Sequence, residues 1–450
     1  MGNLRRDFIK KAGLGTAAIT VGGSAISWSA KSYNRIIGAN DRIHVANVGT
    51  HSQGTEHMKA MLGCENTVID FICDVDSKIA EKTANLAKEM TGSKPKIHED
   101  YRKLIEEKNL DVITIATPDH WHAPMTIMGV KAGKHVYVEK PCSYNLHEGE
   151  LLGELSKKYD KVIQMGNQGR TGPRIIEGIK DIHNGLIGEV YMAKSWYANK
   201  RGSIGTGKKV AVPDWLNWDL FQGPAPREEY RDNIVHYNWH WFRNWGTGEI
   251  NNNGIHQLDV CRWALQVDYP EQVSSYGGRY HFEDDWQFPD SQIATFKYPG
   301  GKQLTWEGRS CNPFRKYDAP NGIIFSGTKG SVKILPEDNY YTAYDLEGNV
   351  TRSVEEEESE EKEKHTALTG PLPQITLHMG NMLNAIRKGE KLNAPVSDGL
   401  ISNALCHYGN ISQDLGRTLN VDTKTGKILN DKEAADMAFR EYEQGWEPKV

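Results

Sequence analysis

Between residues 43 and 165 the chain alternates short apolar runs with helical patterns, and this alternation constrains the fold more than any other feature. The runs cover residues 43–48, 67–73, 111–116, 135–138 and 161–165, with helical patterns such as 77–90 and 120–132 between them. Strand, helix, strand, helix in this order predicts a doubly wound parallel α/β sheet. In an open sheet of that kind, ligands bind outside the carboxyl ends of the strands. The residues that follow each run therefore carry the functional reading.

After the first run comes Gly49-Thr50-His51-Ser52-Gln53-Gly54. It follows a strand and opens a helix, the place of a dinucleotide fingerprint. The pattern is G-x-H-x-x-G, so His51 stands where a glycine normally lets the backbone approach the pyrophosphate. An imidazole there is able to bond a phosphate itself. Asp74 ends the second run. A carboxylate at that place accepts bonds from a ribose hydroxyl pair and repels a 2′-phosphate, which favours NAD over NADP. The plainer role, capping the next helix, suits Asp76 better.

The third run ends in Thr117-Pro118-Asp119-His120-Trp121-His122, where proline stops the strand and a polar aromatic loop begins. Packing against the next helix is the competing fate of His120 and His122. The fourth run ends in Val138-Glu139-Lys140-Pro141. A lysine at that strand end can meet a cofactor and its substrate together. Its charge holds a substrate hydroxyl, and a lowered pKa lets it move that hydroxyl's proton. The bland alternative is a surface lysine paired with Glu139. The last run ends in Gly166-Asn167-Gln168-Gly169-Arg170, which turns Asn167 and Arg170 toward the same cleft.

Beyond about residue 166, strand-like segments at 189–196, 272–279, 292–297, 303–307 and 322–325 follow one another with turns. They predict a mostly antiparallel sheet in an α+β domain, with helices at 377–387 and 399–416. Residues 355–364 are almost all charged and read as a solvated loop. The formal charge of −5 excludes a global pull toward nucleic acid or anionic membrane. Six scattered cysteines without a C-x-x-C pair predict buried thiols, not a disulfide framework or a metal cluster. The expected limits are a leader at 1–30, a linker at 31–41, a first domain at 42–165, a second at 166–420 and an extension at 421–450.

The leader holds Arg5-Arg6 before a mild apolar run at 12–26, too short and weak for a membrane span. It resembles a twin-arginine export signal, with Leu4 where serine or threonine is usual. Export in the folded state to the periplasm is expected, by a cleaved leader or one kept as a tether, with an ordinary Sec leader as the competing reading. No other long apolar stretch predicts a membrane span.

The Gly49 turn, Cys73-Asp74-Val75-Asp76, Thr117 to His122, Glu139-Lys140-Pro141 and Gly166-Asn167-Gln168 together resemble the Gfo/Idh/MocA oxidoreductases, from about Arg42 to the C terminus. The resemblance implies an N-terminal Rossmann domain and a second α+β domain with an open sheet. It also implies NAD(P)-dependent hydride transfer on sugars or cyclic polyols, and a homo-oligomer, dimer or tetramer, that pairs through the open sheet. Cofactor contacts then fall on Gly49, Thr50, His51, Gly54, Asp74, Thr117, Pro118, Trp121, His122, Glu139, Lys140 and Asn167.

The family's second catalytic pair is an aspartate and a histidine four residues apart on one helical face. His256 matches the histidine, and Asn252 stands where the aspartate is expected. Asparagine orients a hydroxyl but neither carries charge nor takes a proton at neutral pH. Proton transfer is thus expected of Lys140 and His256, unless Asp259 simply satisfies a buried His256. Arg170, Trp239 and Arg243 complete the expected substrate side, the aromatic run 237–245 offering stacking faces for a pyranose ring, with core packing the competing and commoner fate of each tryptophan taken singly. Tyr197 aligns with a substrate-side position of related glycosidases.

Three functions fit this set. The first is a sugar or glycoside oxidoreductase with tightly held NAD. The second is a redox-neutral glycosidase working through transient C3 oxidation and elimination, as in the NAD-dependent α-N-acetylgalactosaminidases. Those enzymes typically lack Glu-Lys-Pro, so Lys140 favours the first. The third is a carbohydrate-binding protein with a relic Rossmann domain, against which Lys140, Asp74 and His256 together argue.

Overall fold

The computed structural model describes residues 42–335, 340–354 and 372–450. The leader, the linker and the charged stretch 355–364 lie outside the described residues. Among those described, six strands form the first sheet: β1 (Ile43–Val48), β2 (Thr67–Cys73), β3 (Lys96–His98), β4 (Val112–Ile115), β5 (His135–Val138) and β6 (Ile163–Met165). They are all parallel, in the order β3-β2-β1-β4-β5-β6. Helices α1 (Ser52–Leu62), α2 (Ser77–Thr91), α3 (Asp119–Lys131) and α4 (Leu146–Lys158) alternate with them.

The strand order reverses between β1 and β4, which opens a crevice at their carboxyl ends. Two glycines make the approach there possible. Gly49 has φ +71°, and a Cβ on it would lie 2.6 Å from the Ala116 carbonyl oxygen. A Cβ on Gly54 would lie 1.7 Å from the Gly49 oxygen, so no larger residue fits.

The second sheet contains β7 (Val190–Ala198), β8 (Gln272–Gly278), β9 (Ser291–Lys297), β10 (Gln303–Arg309), β11 (Asn321–Gly327), β12 (Gly330–Leu335), β13 (Tyr340–Tyr344), β14 (Val350–Val354), β15 (Leu419–Val421) and β16 (Ile428–Leu429). Its described order is β14-β13-β12-β11-β7-β10-β9-β8-β15-β16. Only the β7–β10 pairing is parallel among those described. Ala193, Ala294, Phe296, Leu304, Trp306 and Phe325 are fully buried along one face. The register partners Tyr276 and Ile293 stay exposed on the other, the one-sided pattern of an antiparallel sheet.

Helices α5 (Pro173–His183), α6 (Ile255–Leu265), α7 (Leu372–Lys388) and α8 (Val396–Leu415) come from the later chain. The first, second and last of these pack on the second sheet. Its core is continuous with that of the first sheet, since Val48, Ile113 and Val138 belong to the same cluster as Phe296 and Phe325. Helix α7 instead returns to the first sheet. Its Ile375, Met379, Met382 and Leu383 pack with Val45, Ile69, Ile72 and Met58. Gln164 Nε2 donates to the His378 carbonyl at 2.8 Å. Residues 166–420 thus complete the core of the first domain as well as their own, and β15 crosses the expected limit at 420. No described helix is long and apolar enough to cross a membrane.

Candidate active site

A groove runs across the ends of β1, β2 and β4. Gly49, Thr50, His51, Asp74, Asp76, Thr117, Pro118 and Trp121 line one side, and Leu216, Phe221, His236 and Trp239 the other. Asp74 is half-buried and accepts from Thr50 N at 2.6 Å, Thr50 Oγ1 at 3.0 Å and Asp76 N at 2.9 Å. Burial pushes its carboxyl up, and the Asp76 and Thr50 donors pull it back. A carboxylate has about four acceptor sites, so capacity remains for a ligand hydroxyl. Asp76 caps α2, accepting from Lys78 N and Ile79 N, and pairs with His236 Nε2 at 2.9 Å.

His51 does not crowd the glycine turn. It occupies the exposed N-cap of α1, and its ring stacks on His236 with centroids 4.8 Å apart. The far wall comes from the irregular segment 199–245 of the second half. Trp215 O accepts from Ser77 N at 2.9 Å, and Asn217 N donates to Val75 O at 2.9 Å. Trp121 Nε1 donates to Phe221 O at 3.0 Å. Leu216, Phe221 and His236 were not legible as groove residues, because nothing in their local pattern places them beside β2 and β4.

Lys140 stands at the end of β5. Its Nζ donates to the Asn252 carbonyl at 2.6 Å and to Asn252 Oδ1 at 3.3 Å. Burial lowers the amine's pKa, while the carboxylates of Glu139, Asp119 and Glu249 oppose that shift. Asn252 lies in a π-helical turn, Ile250–Gly254, that leads into α6, a distortion common at functional sites. His256 follows on the first turn of α6. Burial and the nearby Lys140 push its imidazole down to about 3, so it is neutral at pH 7. It has no hydrogen-bond partner among the described residues. Asp259 does not satisfy it: that carboxylate accepts from Arg170 and Ser402. Lys140 is thus brought from 112 residues away to Asn252 and His256, which are neighbours on the π turn and the first turn of α6.

Two further groups fit the polar end of a dinucleotide. Asn167 is 2% exposed, and neither its Nδ2 nor its Oδ1 has a partner. Thr117 Oγ1 is also buried and unpartnered. Buried polar atoms left open in this way are rare, and here they sit at the ends of β6 and β4.

Several of the expected contact residues have partners within the fold. Glu139 neither faces the groove nor pairs with the Lys140 amine. Its carboxylate is buried and accepts from His57 Nε2 (2.9 Å), Gln53 Nε2 (3.0 Å), Gln168 Nε2 (3.1 Å) and Lys140 N (3.0 Å). It lies against Gly166, where a Cβ would sit 2.8 Å from both oxygens. Burial opposes its ionisation, yet His57 and Lys140 hold the carboxyl down at about 2. His122 is buried between the Pro141 oxygen at 2.6 Å and the Thr117 oxygen at 2.8 Å, tying the β4 and β5 loops together.

Arg170 is locked by Asp259 at 2.7 and 2.8 Å and by Asp398 at 2.9 Å. Arg243 is exposed and holds Asp414 bidentately at 2.7 Å. Both guanidiniums are thus paired with carboxylates within the fold. Tyr197 is buried and its hydroxyl accepts from Asn199 Nδ2 at 2.7 Å. Trp239 lines the groove and stacks on His240 at 3.6 Å, while Trp241 and Trp245 are buried in separate cores.

No disulfide occurs among the described residues. His281, Asp290 and Cys311 bring three ligand-type atoms within 4.8 Å. Asp290 already accepts from Tyr280 N, His281 N, His281 Nδ1 and Ser291 Oγ, which leaves its oxygens little capacity for an ion.

Comparison with known proteins agrees with this architecture. The model described as "Oxidoreductase family, NAD-binding Rossmann fold" matches residues 43–167, and "GFO/IDH/MocA C-terminal domain" matches 220–333, together over half of the chain. A glycosyl hydrolase family 109 protein of Shewanella baltica (strain OS185) is 25% identical over 211 residues, 44% of this chain and 46% of that protein. The chain thus spans about half the length of the curated relatives it matches. Levoglucosan dehydrogenase in complex with NADH superposes with TM-score 0.67 at 16% identity, over 85% of this chain and 100% of that one. A putative myo-inositol dehydrogenase from Sinorhizobium meliloti 1021 gives 0.60 at 18%, over 84% and 100%.

Proposed function

Because this chain belongs to the Gfo/Idh/MocA family of NAD-binding oxidoreductases, we propose that it interconverts a hydroxyl and a ketone on a sugar, glycoside or cyclic polyol. The observation that carries this reading is the Lys140 amine, held by Asn252 beside His256 at the strand ends. Bound NAD would supply the acceptor for the carbinol hydride. Asp74, Thr117 and Asn167 are the residues with polar capacity to hold it. Lys140 takes the hydroxyl proton through its neutral form, which burial favours against the opposing carboxylates. His256, neutral and a weak base, orients the substrate oxygen through its ring. Asn252 keeps the amine aimed.

The family 109 relative supports a second reading, the redox-neutral glycosidase, in which the same residues serve a transient oxidation. Turnover of nitrophenyl glycosides without added NAD would favour it. In keeping with the arginine-pair leader, we place the protein in the periplasm, where free NAD is scarce. Retention there requires a Kd of roughly nanomolar, about −12 kcal/mol. Pairing through the exposed face bearing Tyr276 and Ile293 would give a dimer or tetramer.

Mass spectrometry of the nucleotide released on denaturing the purified protein tests the proposal. NAD is expected, followed by a change in reduced-nicotinamide absorbance with one of a panel of sugars and inositols. Release of no nucleotide, together with no response to any of them, would count against it. Asp74→Ala is expected to weaken NAD binding about 10- to 100-fold, on the order of 1–3 kcal/mol, and to narrow the preference over NADP. Calorimetric titration of both nucleotides checks this; equal binding of the two by the unaltered protein would remove Asp74 from cofactor choice.

A further inference from the structure

The turn that carries Asn252 also carries a buried carboxylate without a role in the chemistry above. Glu249 is 4% exposed. Its Oε2 accepts from Arg201 Nε at 2.8 Å and from Ser310 Oγ at 2.7 Å. Its Oε1 accepts from Arg201 Nη2 at 3.3 Å, from Asn252 Nδ2 at 3.4 Å and from Asn253 Nδ2. Asn252 in turn presents Oδ1 and its backbone oxygen to Lys140 Nζ. One chain of hydrogen bonds therefore runs from Arg201 through Glu249 and Asn252 to the amine.

The chain has a direction. An amide has one donor end and one acceptor end. With Nδ2 toward Glu249, Oδ1 faces Lys140. Flipping the amide would set N–H groups against an ammonium and an oxygen against a carboxylate, two repulsive contacts in a buried site. Glu249 thereby fixes which end of Asn252 the lysine meets.

We propose that Glu249 is the positioning residue for Lys140: it orients the Asn252 amide and supplies, one residue removed, the anion that position 252 lacks. This rests on Lys140 being the proton-moving amine. The titratable and charged groups that act electrostatically on that amine are Glu139 just after β5, Asp119 from α3, Glu249 beside the π turn, Arg201 beyond β7, His240 from the aromatic turn, His256 from α6 and the Cys406 thiol from α8. Among them Glu249 acts on the amine more strongly than the opposing Arg201.

The test is pulsed acetylation of the full chain with acetic anhydride across a pH series, reading Lys140 by peptide mass spectrometry. Glu249→Gln is expected to move the Lys140 midpoint to lower pH and to raise labelling at a fixed pH below that midpoint about fivefold. Asn252→Asp alone should move the midpoint upward, and the double variant should return it near the starting value. A merely structural defect would not be reversed by that second change. An unmoved midpoint in Glu249→Gln, or a shift that Asn252→Asp fails to reverse, overturns the proposal. Should Glu249→Gln not fold, an unmoved midpoint in Asn252→Asp alone does so. Labelling needs neither sugar nor added nucleotide, so a failure of the oxidoreductase reading shows separately, in hydride transfer.

Discussion

Replacing Lys140 with methionine should cut single-turnover reduction of bound NAD about 10³-fold, roughly 4 kcal/mol of barrier, with the nucleotide still in place. The two halves of this expectation have separate physical origins. The groove to which we assign the nucleotide is lined from the ends of β1, β2 and β4, and Lys140 is not among its walls. Nucleotide retention should therefore change less than about threefold. The chemical step loses its proton acceptor, because His256, held down at about 3, is too weak a base to replace the amine. Methionine keeps much of the side-chain volume, so Asn252 and the π turn need not collapse. Rapid mixing with whichever sugar responds in the screen gives the rate, and released nucleotide gives occupancy. An unchanged single-turnover rate would sink the role assigned to Lys140.

The second large effect concerns stability. Glu139→Gln should destabilise the protein by about 3 kcal/mol at pH 7, because it removes the buried charge that His57 and Lys140 sustain and, with its oxygen kept for Gln53, His57 and Gln168, turns an amide N–H₂ toward the Lys140 backbone N–H. The pH dependence follows from the direction of the shift. The Glu139 carboxyl lies at about 2 in the folded protein, below its ordinary range. Its contribution is fully present above the ordinary carboxylate value of about 4.3 and is lost as pH falls from there toward about 2. The gap between the two proteins in denaturant midpoint should hold from pH 7 to 5 and shrink below pH 4. A gap of constant size down to pH 2.5 would show that the carboxylate's charge is not what matters.

Much of the architecture is legible in the chain because each β1, β2, β4 and β5 run is apolar and ends at a glycine, aspartate or proline. The strand β3 escapes notice since Lys96 and Ile97 are exposed and only three residues pair. Strand β14 does too, with four of its five residues exposed. At the site, Lys140 could be picked out by its type at a strand end, and Asn252 and His256 through the resemblance to the family's motif. Partners could not. Arg170 and Arg243 look like substrate ligands in sequence, yet each is claimed by a carboxylate 89 and 171 residues away, respectively. Glu139 sits beside Lys140 in the chain but turns inward, because Gly166 leaves room for its carboxylate and His57 approaches from α1. Local pattern reports what a side chain offers; only the fold decides what takes it.

Helix α7 carries a consequence for biosynthesis. The nucleotide-binding half leaves the ribosome first, but the flank formed by Val45, Met58 and Ile72 is covered by Ile375, Met379 and Met382, which are translated far later. A nascent chain or truncated fragment that stops near residue 167 therefore bears an uncovered greasy flank and invites self-association until the C-terminal region arrives.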